Sequence, residues 1–396
     1  MESKNSKSKR SVVRRGVWPS NAGTPVVTPL SPSVVYHYKD ADELQSMHDG
    51  GIKGFDYARD GHPNAETLAE KISWMEGAAS GVMTASGMSA IASVFLSFLE
   101  TGDKVAAASQ LYGRSLRMMQ LELPRMGYET SLFNASDPTT FDNAIVPGTK
   151  IVLAEVVSNP TLRITHFEEL VKKTKSVGAL LLVDNTFTTP NGFKPLEHGA
   201  DLVMNSVTKM LSGHSDLNLG YLGASDEVLM KRIIEVIGIF GLNSSPYNCW
   251  MAERGLHTFD LRYQQAQNNA LELAKFLQDQ PNVSRVIYPE FDDHPDHEMA
   301  KRLLKNGFGS MVSFVLGGGR DQANAFLRAA TNIPYCPTLG DVATTVIMPS
   351  ESSHRKFPRA ERLALGIEDN LVRVSAGIEN FELIKDDFTV ALKAAI

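Results

Sequence analysis

Short apolar runs that each stop on a polar residue, with helical periodicity between them, constrain this chain more than any other feature. "KIVLAE" (150–155) ends at Glu155, "ALLLVD" (179–184) at Asp184 and "ADLVMNS" (200–206) at Ser206. Runs of this kind suit strands buried on both faces, and the intervening "HFEELVKKTKSVG" reads as a helix closed by Gly178. Repetition of such units predicts an α/β fold with a mostly parallel sheet. Ligands of doubly wound sheets collect beyond the carboxyl ends of the strands, so Glu155, Asp184 and the segment Ser206–Lys209 are expected around one crevice.

At 396 residues the chain exceeds what one core usually holds, which predicts more than one domain. The expected division is an N-terminal arm over 1–60, a large domain over 61–255 and a smaller α+β domain over 256–396. The last opens on the long helical pattern "DLRYQQAQNNALELAKFLQDQ". The arm lacks strong periodicity and suits packing on another subunit. A formal net charge of -6 argues against nucleic acid or an anionic membrane as partner and favours a small-molecule substrate. The two cysteines, Cys249 and Cys336, lie far apart without zinc or disulfide spacing, so a reducing cytoplasm is expected. The basic start "MESKNSKSKRSVVRRG" is followed by no apolar run and reads as a frayed tail. "DDHPDHE" (292–298) has metal-binding residue types without ordered spacing and reads as a solvated loop; no metal site is expected. "LGGGRD" (316–321) reads as a turn.

Candidate chemistry gathers around "NSVTKMLSGHSD" (205–216). Lys209 sits between Val207, Thr208, Met210 and Leu211, a setting that lowers an amine's pKa and suits a nucleophile or Schiff-base former. A half-buried lysine paired with an acid is the competing reading. "TASGMSAIASVFLSFLE" (84–100) puts the amides of Gly87 and Met88 at a helix N-terminus, which alone reads as an ordinary Ser-Gly cap but with the hydroxyls of Ser206 and Thr208 beside it suits a phosphate cup. Asp184 can hold a protonated heterocyclic nitrogen, or simply cap its loop. Tyr112 offers a ring face and a phenol, or a core side chain. Tyr57 and Arg59, two apart in "GFDYARDGHP", would point the same way on an extended segment and can clamp a phosphate, or belong to a surface loop with an incidental arginine. Arg373 in the strand-like "NLVRVSAGIE" needs an anion, either a substrate carboxylate or an internal acid such as Glu379. Lysine, phosphate cup, strand-end aspartate and stacking tyrosine together describe a site for pyridoxal 5'-phosphate (PLP).

From about Val27 to its end the chain resembles the Cys/Met-metabolism family of PLP enzymes, on "YAR", "SGMSAI", "SNPT" (158–161), "SVTKMLSGHSD" and "RVSAGIE". The resemblance implies a fold-type I, aspartate-aminotransferase-like subunit assembled as a homotetramer of two active dimers. It also implies Lys209 as the Schiff-base lysine, Tyr112 stacked on the ring, Asn159 at the ring hydroxyl and Arg373 at the substrate carboxylate. Tyr57 and Arg59 would serve a neighbouring subunit's cofactor. Departures concern the substrate end: "HPN" (62–64) stands where the family usually reads "NPT", and Thr338-Leu339-Gly340 where many members have Ser-Leu-Gly. Ala343 stands where synthases and γ-lyases often carry glutamate, and Arg114 where methionine γ-lyases carry cysteine. Arg117 matches an arginine that cystathionine-handling members use near a distal carboxylate. The expected reaction makes or breaks the C–S bond of cystathionine at the homoserine γ-carbon. Methionine γ-lysis, sulfhydrylation of an acylated homoserine, β-cleavage of cystathionine and a non-catalytic subunit are the alternatives.

Overall fold

The computed structural model describes residues 23–395, so the basic N-terminal tail lies outside the described residues. Seven strands build the larger sheet: β1 (Ser80–Thr84), β2 (Lys104–Ala108), β3 (Glu129–Phe133), β4 (Thr149–Glu155), β5 (Leu180–Asp184), β6 (Leu202–Ser206) and β7 (Gly220–Ala224). Their order is β1-β7-β6-β5-β4-β2-β3, and only β7 runs against its neighbours. The α/β fold expected from the strand–helix alternation is therefore present. The three strands anticipated from their apolar runs end on Glu155, Asp184 and Ser206. Helix Phe167–Ser176 joins β4 to β5 and is followed by Gly178 at φ +70°, a left-handed conformation that suits a residue without Cβ.

Pleating divides the core. On β6, Val203 packs with Leu68, Ala69 and Ile72 of helix Pro63–Glu76, whereas Met204 joins the cluster on the other face with Ile91 and Phe95 of helix Gly87–Phe98. A second, antiparallel sheet is ordered β10-β11-β9-β8, from β8 (Val283–Ile287), β9 (Met311–Leu316), β10 (Thr345–Ile347) and β11 (Leu371–Ser375). Helices Phe259–Gln278 and Phe381–Ala394 supply Leu273, Leu277, Phe388 and Leu392 to its core.

Two expectations need correction. The segment read as an arm without periodicity contains a two-turn helix, Ala41–His48, nucleated where Asp40 Oδ1 accepts the Glu43 N–H at 2.9 Å. None of its residues is buried, which is why no apolar stripe announced it. The "DDHPDHE" loop is only partly solvated: His294 and Asp296 are buried. Asp296 takes a bidentate pair from Arg163 at 2.6 and 2.9 Å and the Ile164 N–H at 2.9 Å, which stabilises a carboxylate that would otherwise stay in water.

Candidate active site

The carboxyl ends of β4, β5 and β6 open onto a cavity of about 1250 Å³. Glu155, Asp184, Ser206, Thr208 and Lys209 all line it, as the strand-end argument predicts, together with Gly87, Met88, Tyr112 and Asn159. Arg373 enters from β11, so the small sheet completes the site. Arg114, Arg117 and Thr338 line the same cavity.

Lys209 has no acid partner among the described residues. Its Nζ donates to Thr338 Oγ1 at 3.2 Å, and burial, with Arg373 adding to it, holds the ammonium below its ordinary pKa. The acid that the competing reading requires is not found beside it among the described residues. Arg373 is likewise without a carboxylate partner among the described residues. Its Nη1 donates to Asn159 Oδ1 at 2.9 Å and its Nη2 to the Thr338 carbonyl at 2.6 Å, while Nε is buried and unpartnered. Burial lowers this guanidinium to about 10, a sign of how little anionic charge it meets. Glu379, the internal acid considered for it, instead accepts from Thr344 N and Oγ1 at 2.5 and 2.9 Å.

Asp184 and Glu155 are register partners on adjacent strands, so two carboxylates lie side by side in the cavity wall. Burial raises both; the neighbouring Asp184 pushes Glu155 further, well above the usual range. Asp184 accepts the Thr186 N–H at 3.0 Å, and Glu155 accepts the Tyr112 N–H at 2.5 Å. Tyr112 caps the short helix Gly113–Arg117 and stands partly exposed over the cavity.

Ser86 caps helix Gly87–Phe98 by accepting the Ser89 N–H at 3.1 Å. A Cβ on Gly87 would lie 3.0 Å from Ser206 Cβ and 3.1 Å from Met204 Cε. The helix N-terminus thus rests directly against the serine, forming a cup that any larger residue would crowd. Thr208 Oγ1 accepts the Leu219 N–H at 2.9 Å and so braces the loop, while still bordering the cavity. Tyr57 and Arg59 stand elsewhere. They are exposed on either side of buried Ala58, with the guanidinium carbon 4.8 Å from the ring centroid, and neither lines this cavity. The segment is not extended as the sequence suggests: the Asp60 N–H donates to the Tyr57 carbonyl at 2.9 Å, so a turn brings the two side chains together, and one chain does not bring them to the cup.

Sequence reasoning missed three supports. Thr186 Oγ1 accepts the Ser206 N–H at 2.7 Å and so links the aspartate strand to the serine strand. Arg262 donates to the carbonyls of Met210 and Leu211 at 2.7 and 3.0 Å, securing the turn that follows Lys209. Glu76 lies fully buried behind the sheet. An unexplained arginine inside the pattern of helix Phe259–Gln278 was the one legible signal among them.

Comparison with known proteins agrees with this geometry. Residues 10–393 match the family described as Cys/Met metabolism PLP-dependent enzyme. The chain belongs to that family. Among its relatives are a cystathionine β-lyase of Bacillus subtilis, 35% identical over 94% of this chain and 93% of the relative. An O-succinylhomoserine sulfhydrylase of Pseudomonas aeruginosa is 34% identical, over 91% and 89% of the two chains. Cystathionine γ-synthase from Xanthomonas oryzae pv. oryzae, solved with aminoacrylate and cysteine, superposes with a TM-score of 0.88 at 34% identity, covering 93% of each chain.

This member of the Cys/Met-metabolism family is thus a PLP-dependent enzyme of sulfur amino acid metabolism with a fold-type I subunit. Its cavity fits the cofactor on its own terms. The cup at Gly87 and Ser206 suits a phosphate, the buried acids Asp184 and Glu155 have no cation partner among the described residues, and Lys209 is a desolvated amine bonded only to a hydroxyl among them.

Proposed function

We propose that this enzyme makes or breaks the C–S bond of cystathionine at the homoserine γ-carbon. The observation that supports this reading is that three arginines line one cavity: Arg373 from β11, and Arg114 with Arg117 from the helix that follows Tyr112. An amino acid with a second, distal carboxylate suits a cavity lined by more than one arginine better than methionine, whose far end is a neutral thioether.

PLP, when bound, supplies an electron sink for negative charge developing on the substrate carbons. Gly87, Met88, Ser206 and Thr208 would hold its phosphate, Asp184 its ring nitrogen, Asn159 its ring hydroxyl and Tyr112 its face. Arg373 holds the α-carboxylate of the amino acid, exchanging the Thr338 carbonyl for a charged acceptor. Lys209 Nζ, little stabilised as an ammonium, removes the proton from Cα. The Tyr112 hydroxyl, over the cavity, would donate a proton to the departing sulfur. Tyr57 and Arg59 of each subunit would reach a neighbour's phosphate cup, which requires a dimer within a homotetramer. A cytoplasmic setting suits two cysteines that are both free.

A second reading, sulfhydrylation of an acylated homoserine, draws on Ala343, which leaves a small side chain where a synthase often has a glutamate. Mass spectrometry of the products from purified protein and L-cystathionine separates the readings. Cysteine with 2-oxobutyrate means γ-cleavage, and homocysteine with pyruvate means β-cleavage. With no cleavage, acyl-homoserine given cysteine or sulfide distinguishes γ-synthesis from sulfhydrylation.

A further inference from the structure

Behind the cavity, on the opposite face of the sheet, lies a buried acid with no ion-pair partner among the described residues. Glu76 ends helix Pro63–Glu76 and is 0% exposed. Its carboxylate accepts Asn185 Nδ2 at 2.9 and 3.2 Å and Asn205 Nδ2 at 2.5 Å. Asn185 follows Asp184 at the end of β5, and Asn205 precedes Ser206 at the end of β6. Successive residues of a strand face opposite ways, so the same two strand ends present Asp184 and Ser206 to the cavity and the asparagines to Glu76. On the cavity face the strands are tied through Thr186; on the rear face Glu76 is the tie.

We propose that Glu76 is a positioning residue for cofactor binding, clipping the ends of β5 and β6 through Asn185 and Asn205 and so fixing the spacing of Asp184 and Ser206. The inference rests on the reading of Asp184 and Ser206 as cofactor contacts. Desolvation raises Glu76 to about 7 against the hydrogen bonds from the two asparagines. The other titratable groups that act on it are Lys194 and Glu197 on the turn after Phe193, which pair with each other at 3.3 Å, and Tyr221 on β7, whose hydroxyl pairs with Ser73 at 2.9 Å. The Oδ1 atoms of Asn185 and Asn205 are both buried and unpartnered, so rotating either amide would turn an acceptor toward a protonated Glu76, and the clip can change form without unfolding.

The test is the rate at which PLP leaves the holoenzyme on dialysis between pH 5.5 and 8.5, followed by loss of visible absorbance, for the native chain and Glu76→Gln. Native release is expected to slow through a step near pH 7. Glu76→Gln is expected to match the native rate near pH 6, where both side chains are neutral, and to release about tenfold faster near pH 8. Superimposed curves, or curves offset by one factor at every pH, would overturn the proposal, since a merely structural change gives the latter. If Glu76→Gln does not fold, Asn205→Ser removes one of the two donor residues and should move the native step to higher pH; an unmoved step counts against the clip. Native protein that binds no PLP would instead refute the cofactor reading itself.

Discussion

Lys209 carries its function in its isolation. An amine held half-buried, with a hydroxyl as its hydrogen-bond partner and a guanidinium nearby, is poorly stabilised as a cation and available as a base. Lys209→Ala is expected to abolish turnover and the visible absorbance of lysine-linked cofactor; an unchanged visible spectrum would remove the lysine from the mechanism. Arg373 gives a separable expectation, because on the proposed reading it would hold the amino acid and not the phosphate. Losing a charge-assisted pair is worth about 1.5–3 kcal/mol, so Arg373→Ala should raise KM for the amino acid by roughly 10- to 100-fold. Cofactor content, measured by absorbance, should stay at the native level. Most of these residues were legible in the sequence because each breaks a local rule: a lysine among apolar neighbours, an arginine inside a strand, an aspartate closing an apolar run. Glu76 was not, since a glutamate ending a helix before glycine looks like any solvated helix end. Only the tertiary fold puts it beneath the sheet.

At the scale of elements, the alternation of strand and helix was enough to find β4, β5 and β6, whose ends line the cavity. The entry of β11 into the site was not readable from order along the chain, because β11 belongs to a different sheet and meets β4 and β5 only through folding. The connection that makes this meeting possible is tight. Gly340 sits at φ +74°, and a Cβ there would lie 2.4 Å from the Met210 nitrogen, just past Lys209. Its own N–H donates to Ser375 Oγ on β11 at 2.8 Å. Gly340→Ala therefore combines left-handed strain with a backbone clash and is expected to cost about 1–3 kcal/mol in a urea unfolding curve. It should also lower activity more than this loss of stability implies, because Thr338 two residues earlier would shift.

For the whole molecule, Glu76 makes stability depend on pH in a particular direction. Its folded-state value of about 7 lies above the ordinary 4.5, so between those limits the folded chain keeps a proton that the unfolded chain has released. Its contribution therefore falls as pH rises from about 4.5 to 7 and levels off above, by roughly 3 kcal/mol in all. Chemical unfolding of cofactor-free protein should lose this part of its pH dependence in Glu76→Gln; an identical slope in both proteins would contradict it. The two sheets are also joined in a way that bears on selectivity. Thr338, on the small-domain side, offers its hydroxyl to Lys209 and its carbonyl to Arg373. On the proposed reading, the tether of the base and the latch of the carboxylate grip are one residue. A simple amine without a carboxylate would occupy the cavity and leave that latch closed, so the enzyme would reject it by idling after capture rather than by refusing it entry.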